Sequence, residues 1–310
     1  MKEIAILIPN IRWSFLVDDY SNYEYSQDDV FSNWMITVKR KVCDELFGQG
    51  NKPSRVYFGN EFCERLIWSK NDVEKMATIC AEKNMKMSLV TPYCSEDAIS
   101  KIFNVLNQVK DLSVIDEIIV NDWGLLHKIR EELPQYTCII GRILDKMKRD
   151  PRLSKKEYEV HFSGDGLKML QSPSASSESY QELMSDYQVK RFEIDNVIQG
   201  LYLDDISNMN ISTYVPYGYV TNGKICQFAG IHNKKEDKFR VTTKCQHECQ
   251  LFMQFMEKNL TALPSNDDLR LDKVQVIRKG NTVFYMNIEI NQVITDEHID
   301  RIIYEPAVPM

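Results

Sequence analysis

The 310-residue sequence has no long uninterrupted apolar run, no excess of positive charge and no glycine-rich phosphate loop. A membrane-spanning helix needs about 18 or more consecutive apolar residues, so we expect a chain without a membrane span. The net charge of −7 argues against broad binding to nucleic acid or to an anionic membrane, because both favour basic surfaces. The missing phosphate loop leaves nucleotide binding without support.

Several motifs of hydrolytic and radical enzymes are also missing. The sequence contains neither the H-E-x-x-H motif of zinc proteases nor the G-x-S-x-G turn of serine hydrolases. Its five histidines are scattered, and it has no C-x-x-x-C-x-x-C run of the kind that radical SAM proteins use. Peptidase chemistry therefore finds little support, although a Cys–His dyad stays open because such partners lie far apart along a chain.

No small-residue cleavage site follows the short apolar run at the N-terminus, which Glu3 interrupts near its start. We interpret this run as a first strand, and not as a signal peptide. We therefore expect a cytoplasmic protein, in which thiols stay reduced. Its eight cysteines are then expected to bind metal or to pack in the core, because disulfides are rare in that compartment.

The first half of the chain alternates short apolar runs with longer amphipathic segments. Strands are predicted at Glu3–Pro9, Arg55–Phe58, Lys86–Thr91, Asp116–Val120 and Thr137–Ile140, and helices at Asp28–Phe47, Asn71–Lys83, Ser95–Leu106 and Trp123–Glu132. A strand followed by a helix, repeated at about 30 residues, is typical of βα units and a parallel sheet.

The alternation breaks after Gly141, where a basic segment precedes one rich in Ser, Gly and Pro. We expect an insert over residues 145–180 that is either a lid or a disordered excursion. A helix at Tyr180–Tyr187 and strands at Lys190–Ile194 and Ile211–Val215 follow. These are seven strands, and an eighth is expected near Tyr219–Val220 or in a poorly formed state. The predicted fold class is α/β, a (β/α) TIM-like barrel whose closure need not be regular.

The last part of the sequence changes character. Asp272–Ile277 and Thr282–Ile288 flank the letters R-K-G-N, which indicates a β-hairpin. Asp296–Ile303 is predicted to be a final helix. We therefore assign residues 1–260 to the barrel that carries the metal site, and residues 261–310 to a hairpin and helix packed on it.

Three cysteines lie close together in the sequence. Cys245 and Cys249 frame a C-x-x-x-C, and Cys226 precedes them. Thiolates are the usual ligands of iron–sulfur clusters and are common ligands of zinc. The polar residues around the C-x-x-x-C favour metal binding over packing as buried free thiols. Either kind of site needs a fourth ligand.

The candidates for the fourth ligand are Cys43, Cys63, Cys80, Cys94, Cys138 and His247. Two of the cysteines lie in predicted helices and Cys138 lies in a strand, so core packing is expected for these three. Cys63 and Cys94 each follow a strand, and Cys63 stands just past the second one, on the face where barrels build their sites. His247 would instead complete a zinc site of three cysteines and one histidine.

Several segments together resemble one protein family. V-Y-F-G-N-E-F-C-E-R, I-V-N-D-W-G-L-L, G-R-I-L-D-K-M-K-R-D-P-R, Y-V-P-Y-G-Y-V-T-N-G-K-I-C and the C-x-x-x-C resemble peptidase family U-thirty-two, the collagenase-like proteins. Within that family they are most similar to the UbiV-type iron–sulfur proteins of oxygen-independent ubiquinone hydroxylation. The resemblance extends from about residue 55 to 250. The family's T-x-G-R is T-N-G-K here, with Lys224 at the basic position.

The resemblance implies a [4Fe–4S] cluster bound by Cys63, Cys226, Cys245 and Cys249. It also implies a subunit or enzyme of an oxygen-independent hydroxylation pathway, working in a heterodimer with a homologous UbiU-like subunit. Two alternatives remain: a peptidase of the same family with a structural metal site, and a non-catalytic partner of a homologous enzyme. The substrate is expected to be a small molecule or a peptide.

Three polar side chains at predicted strand ends are candidate catalytic residues. Asp122 could bind a substrate hydroxyl or amine, or else cap the next helix. Arg142 could clamp a carboxylate of prephenate, the oxygen source that the resemblance implies, or else pair with a nearby acid. Glu193 shares one strand face with Asp195, and the two could act as an acid/base pair, as polar ligands or as turn formers.

Overall fold

The computed structural model describes residues 2–22, 30–48, 50–241, 243–256 and 276–310, with side chains from residue 35 onward in the second range. The strands in chain order are β1 (Glu3–Ile8), β2 (Arg55–Gly59), β3 (Lys86–Val90), β4 (Ile115–Val120), β5 (Thr137–Ile140), β6 (Arg191–Asp195), β7 (Asn210–Val215), β8 (Tyr217–Asn222), β9 (Gln254–Met256), β10 (Val276–Lys279), β11 (Thr282–Met286) and β12 (Ile299–Tyr304). The α-helices are α1 (Leu16–Asp19), α2 (Val30–Phe47), α3 (Lys70–Glu82), α4 (Glu96–Val109), α5 (Trp123–Glu132), α6 (Lys155–His161), α7 (Gly164–Gln171), α8 (Glu178–Asp186) and α9 (Asn291–Thr295).

Eight parallel strands form a closed barrel in the order β1-β12-β7-β6-β5-β4-β3-β2. The predicted (β/α) TIM-like barrel is confirmed. Helices follow β2, β3 and β4 as the sequence predicts, and all three begin at side-chain caps. Ser69 and Asp72 form a capping box at α3, and Ser95 accepts from Ala98 N at the start of α4. Such caps satisfy backbone N–H groups that the first helical turn leaves without partners.

The strand that closes the barrel lies where the sequence predicts a helix. The prediction of a helix at Asp296–Ile303 is wrong, because Ile299–Tyr304 is β12 and pairs in parallel with both β1 and β7. Barrel strands are buried on both faces, so a short apolar run such as I-D-R-I-I-Y does not distinguish a strand from a buried helix. The segment expected to be appended therefore contains the eighth barrel strand, and the boundary drawn at residue 260 lies outside the described residues.

A second, antiparallel sheet has the order β8-β11-β10-β9. The predicted hairpin is confirmed where the structure describes it: β10 and β11 pair from Val276 with Tyr285 to Lys279 with Thr282. Gly280 occupies the turn with φ +60°, a conformation that glycine adopts without steric cost. The pair Tyr219–Val220, expected in or near an eighth barrel strand, belongs to β8 in this second sheet.

The insert between β5 and β6 is folded into the helices α6, α7 and α8. Ser154 and Glu157 form a capping box at the start of α6, and Tyr158 and Ala175 are buried. The predicted excursion over residues 145–180 is therefore helical. Its Ser, Gly and Pro residues stand between and at the ends of short helices, where such residues are favoured.

Alternate residues of the barrel strands face the barrel interior and form a compact apolar layer there. Its members are Ala5, Leu7, Tyr57, Val90, Ile119, Ile139, Tyr214 and Ile303. The second sheet covers the mouth at the carboxyl ends of the strands. Its Phe284 ring lies 5.0 Å from the ring of Phe62, and Tyr285 donates to the backbone oxygen of Asn196. In the part of the chain that the structure describes, no helix is long and apolar enough to cross a membrane.

Candidate metal centre

The four cysteines singled out by the sequence line one pocket. Cys63 follows β2, Cys226 follows β8, and Cys245 and Cys249 lie in the segment before β9. Cys63 interacts electrostatically with each of the other three. Folding therefore brings Cys63 together with three thiols that lie far from it in the sequence.

Polar side chains join these three segments. Asn60 accepts from the backbone nitrogen of Cys63 at 2.9 Å, which fixes the loop after β2. Asn281 donates to the backbone oxygens of Phe62 at 2.8 Å and Gly223 at 2.6 Å, so the β10–β11 turn holds the loops that carry Cys63 and Cys226. Arg65 reaches the third segment through the backbone oxygens of Thr243 and Val241, ahead of the C-x-x-x-C. Side-chain hydrogen bonds thus connect the three segments that carry the cysteines.

The C-x-x-x-C turns through a left-handed residue. His247 has φ +62°, and its backbone nitrogen donates to Cys245 Sγ at 3.3 Å. The backbone nitrogen of Ala229 donates to Cys226 Sγ at 3.5 Å. Donation to sulfur favours the thiolate, which is the form that binds metal. The His247 side chain is exposed, and His247 is not among the described residues that line the pocket.

Burial works against the thiolate. It raises the pKa of Cys63 to about 12, and the pKa values of Cys226 and Cys249 also lie above the ordinary range. Without a bound cation, these thiols hold their protons at neutral pH. Metal binding at this pocket would release protons, because the ligands must ionise.

A lysine lies behind Cys249. Lys279, at the end of β10, is buried, and its Nζ donates to the backbone oxygen of Val308 at 3.0 Å. Burial lowers its pKa to about 8, against the opposing effect of Cys249. Neither Lys279 nor Asn281 is among the residues predicted from the sequence, because both fall within the R-K-G-N letters that indicate a hairpin turn.

The other four cysteines do not line this pocket. Cys43 donates to the Tyr304 hydroxyl at 3.1 Å, and Cys94 donates to the backbone oxygen of Pro92 at 3.0 Å. Cys80 in α3 and Cys138 in β5 are buried among apolar side chains. The structure thus separates the eight thiols into one group of four around a pocket and four in the core.

Asp122 caps a helix in the structure. Its Oδ1 accepts from the backbone nitrogen of Leu125 at 3.1 Å, at the first turn of α5. This is the structural alternative that the sequence leaves open. A contact between Asp122 and substrate stays a prediction.

Arg142 is fully buried and surrounded by acids. Its guanidinium pairs with Glu61 at 2.7 Å, Asp195 at 2.9 Å and Glu305 at 2.7 Å. It also donates to the backbone oxygen of Tyr217 at 2.8 Å. With Arg149, which pairs with Asp195, these residues form what we call the mouth cluster: Glu61, Arg142, Arg149, Asp195 and Glu305. Arg142 therefore pairs with nearby acids, which is one of the two roles that the sequence leaves open. Its role as a substrate clamp stays a prediction.

Glu193 precedes Asp195 of the mouth cluster by two residues on β6, so it lies deeper in the barrel. It is fully buried and accepts a hydrogen bond from the Tyr214 hydroxyl. Burial, with the charge of Glu61, raises the pKa of Glu193 to about 8. Its Oε1 has no hydrogen-bond partner among the described residues. A neutral carboxyl at this position could donate a proton, so the acid/base role stays a prediction.

The fold and the site define a closed (β/α) barrel that gathers four thiols into one pocket. The sequence matches no protein-family model and no curated protein. Among solved structures, the chain is similar to the U32 peptidase Mk0906, with 8% identity, a TM-score of 0.42, and coverage of 99% of this chain and 94% of that one. It is also similar to D-psicose 3-epimerase from Clostridium cellulolyticum H10, with 11% identity, a TM-score of 0.32, and coverage of 69% and 73%.

A third similar structure is the spore cortex-lytic enzyme SleL of Bacillus megaterium QM B1551. The identity is 8%, the TM-score is 0.37, and the similarity covers 98% of this chain and 70% of that one. All three TM-scores lie below 0.5, so the fold described above rests on the strand pairing of this chain itself.

Proposed function

We propose that this chain is an iron–sulfur protein of the U-thirty-two peptidase-like family, with a [4Fe–4S] cluster bound by Cys63, Cys226, Cys245 and Cys249. We further propose that it is a subunit or enzyme of an oxygen-independent hydroxylation pathway, as its UbiV-like motifs imply. The observation that carries the proposal is the convergence on one pocket of Cys63 and three cysteines that lie far from it in the sequence. The remaining four thiols in the chain have no such arrangement.

Four cysteine thiolates can bind either one tetrahedral zinc ion or a [4Fe–4S] cluster, in which each thiolate binds a different iron. We propose the cluster because the sequence motifs resemble those of UbiV-type iron–sulfur proteins.

When bound, the cluster would supply one-electron transfer. The four thiolates would hold it, and the backbone nitrogens of Ala229 and His247 would stay hydrogen-bonded to two of the sulfurs. Lys224 lines the same pocket, with its ammonium 5.0 Å from the centre of the Tyr93 ring. A cation in this position would favour anionic groups at the pocket. The proposal of a homologous UbiU-like partner subunit rests on the sequence resemblance.

Alanine variants of each of the four cysteines test the proposal, with Cys94→Ala as the matched control. Cys94 is also a thiol that follows a barrel strand, but it donates to a backbone oxygen in the core. After anaerobic purification, the wild type and the control should show a broad absorption near roughly 400 nm that each of the four variants loses. Equal spectra in the control and the four variants would contradict the ligand assignment.

A further inference from the structure

Lys279 is a buried cation without an acidic partner. Lys279 is only 7% exposed, and its Nζ donates to the backbone oxygen of Val308 at 3.0 Å. Across the described ranges, no carboxylate forms an ion pair with it. Lysine is almost never fully buried unless its charge is compensated, because removing an ammonium from water is energetically costly. The position therefore calls for a negative charge nearby.

The candidate for that charge is the thiol of Cys249. Lys279 interacts electrostatically with Cys249, and the end of β10 lies against this cysteine. A Cβ built on the next residue, Gly280, would stand 3.2 Å from the Cβ of Cys249. The segment Glu305–Met310, which accepts the hydrogen bond from Lys279, is buried throughout. The ammonium is thus held in a fixed place behind one of the four cysteines.

The two acids near the pocket, Glu64 and Glu248, form no ion pair with Lys279 among the described residues. Glu64 accepts from the backbone nitrogen of Ser95 at 2.7 Å. Glu248 is buried, and its Oε2 accepts from the backbone nitrogen of Gln246 at 3.1 Å and from the Cys245 thiol at 3.9 Å. Two further cations, Arg65 and Lys224, line the pocket, but they extend from its outer loops. Lys279 is the cation that is buried on the Cys249 side.

We propose that Lys279 is the built-in countercharge of the four-cysteine centre, and that it raises the reduction potential of the cluster bound there. This inference rests on the proposed function. A cluster held by four thiolates is anionic, and one electron from an external one-electron donor adds a further negative charge without making or breaking a bond. A fixed positive charge in a low-dielectric site stabilises the reduced form more than the oxidised form. Lys279 is a positioning residue, since it acts through Cys249.

The test is a redox titration of the anaerobic protein with Lys279→Met, in which dithionite supplies electrons through mediators. Methionine keeps an unbranched chain of similar length and removes the charge. At the same applied potential, we expect the ratio of reduced to oxidised cluster to be about tenfold lower in K279M than in the wild type. For a one-electron couple, this corresponds to a midpoint about 59 mV more negative.

Two further variants make the result specific. Lys244→Met removes a lysine that is exposed and adjacent to Cys245, so water and salt should screen its effect and the midpoint should stay near the wild-type value. Lys279→Arg keeps the charge and should restore the midpoint. An unchanged midpoint in cluster-loaded K279M, or an equal shift in K244M, would overturn the countercharge role.

The metal-free protein supplies a second measurement. In the absence of a cluster, the buried ammonium is uncompensated, so K279M should unfold at the same urea concentration as the wild type or a higher one. A clear loss of stability in metal-free K279M would overturn the inference, because Lys279 would then have a structural role. Absence of iron and sulfide from the wild type would instead contradict the proposed function, which keeps the two failures distinguishable.

Discussion

At the scale of single residues, the barrel mouth is dominated by buried charge. Arg142 pairs with the carboxylates of Glu61, Asp195 and Glu305, and its guanidinium lies 3.7 Å from the centre of the Tyr214 ring. All of these side chains are buried. Buried charges are tolerated when each is paired. Removing one partner destabilises the fold, because it leaves the remaining charges buried without compensation. The mouth cluster therefore makes the stability of the barrel depend on Arg142.

We predict that Arg142→Ala lowers the free energy of unfolding by about 3–5 kcal/mol, because it leaves buried carboxylates without their cation. Urea denaturation monitored by circular dichroism measures the change. Arg152→Ala is the control, since Arg152 pairs with Asp150 at the exposed surface and its loss should have little effect. Equal midpoints for the two variants would show that the mouth cluster does not stabilise the fold.

Glu193 predicts a dependence of stability on pH. Its pKa is raised to about 8 by burial and by Glu61, whereas glutamate in an unfolded chain has a pKa of about 4.3. The folded state keeps a proton that the unfolded state releases, so this contribution to stability is complete below about pH 4.3 and is lost as the pH rises towards about 8. Glu193→Gln should flatten that part of the profile of unfolding free energy against pH. A profile parallel to the wild type's across this range would count against the raised pKa.

At the scale of elements, the site depends on the turn between β10 and β11. Asn281 in this turn donates to the loops that carry Cys63 and Cys226, although the hairpin itself belongs to the second sheet and not to the barrel. Residues that orient metal ligands typically change metal affinity by about 10–100-fold when they are replaced. The hairpin is therefore expected to act as a support for the cysteine pocket.

We predict that Asn281→Ala shortens the lifetime of the bound cluster about tenfold or more in the presence of a chelator, while the far-ultraviolet spectrum is unchanged. The decay of the visible absorption measures the lifetime. Asn107→Ala is a matched control, because Asn107 is an exposed residue of α4 whose amide also donates to a backbone oxygen. The support role fails if the two variants lose their absorption at the same rate.

At the scale of the whole molecule, the barrel is closed by residues 299–304. β12 lies between β1 and β7, with Ile4 opposite Ile302 and Tyr214 opposite Ile303. Ile303 is also part of the inner apolar layer. A strand in this position completes both the hydrogen bonding of two neighbours and the packing of the interior.

A chain that ends at residue 298 should therefore not fold cooperatively, because β1 and β7 would each lose a partner strand. Thermal denaturation followed by circular dichroism compares it with the full chain. An appended helix would predict the opposite result, namely a shortened chain that keeps a sharp transition close to that of the full chain.

The sequence predicts the parts of this molecule that depend on local patterns. Hydrophobic periodicity and caps such as Ser95 locate the first five strands and the helices between them, because each βα unit is local in sequence. The polar context of the C-x-x-x-C indicates metal ligands, whereas the strand-end context leaves both Cys63 and Cys94 open, and the family resemblance selects Cys63. Contacts between distant segments could not be predicted: the pairing of β12, the three acids around Arg142, and Lys279 behind Cys249 all depend on tertiary structure.

The central claim is that the four-cysteine pocket holds a [4Fe–4S] cluster, and the iron, acid-labile sulfide and zinc content of the anaerobically purified wild type tests it most directly. The account predicts about four irons and about four sulfides per chain, with little zinc. One zinc per chain without sulfide would contradict it and leave a structural metal site. A protein free of all three would show that the thiols converge without binding metal.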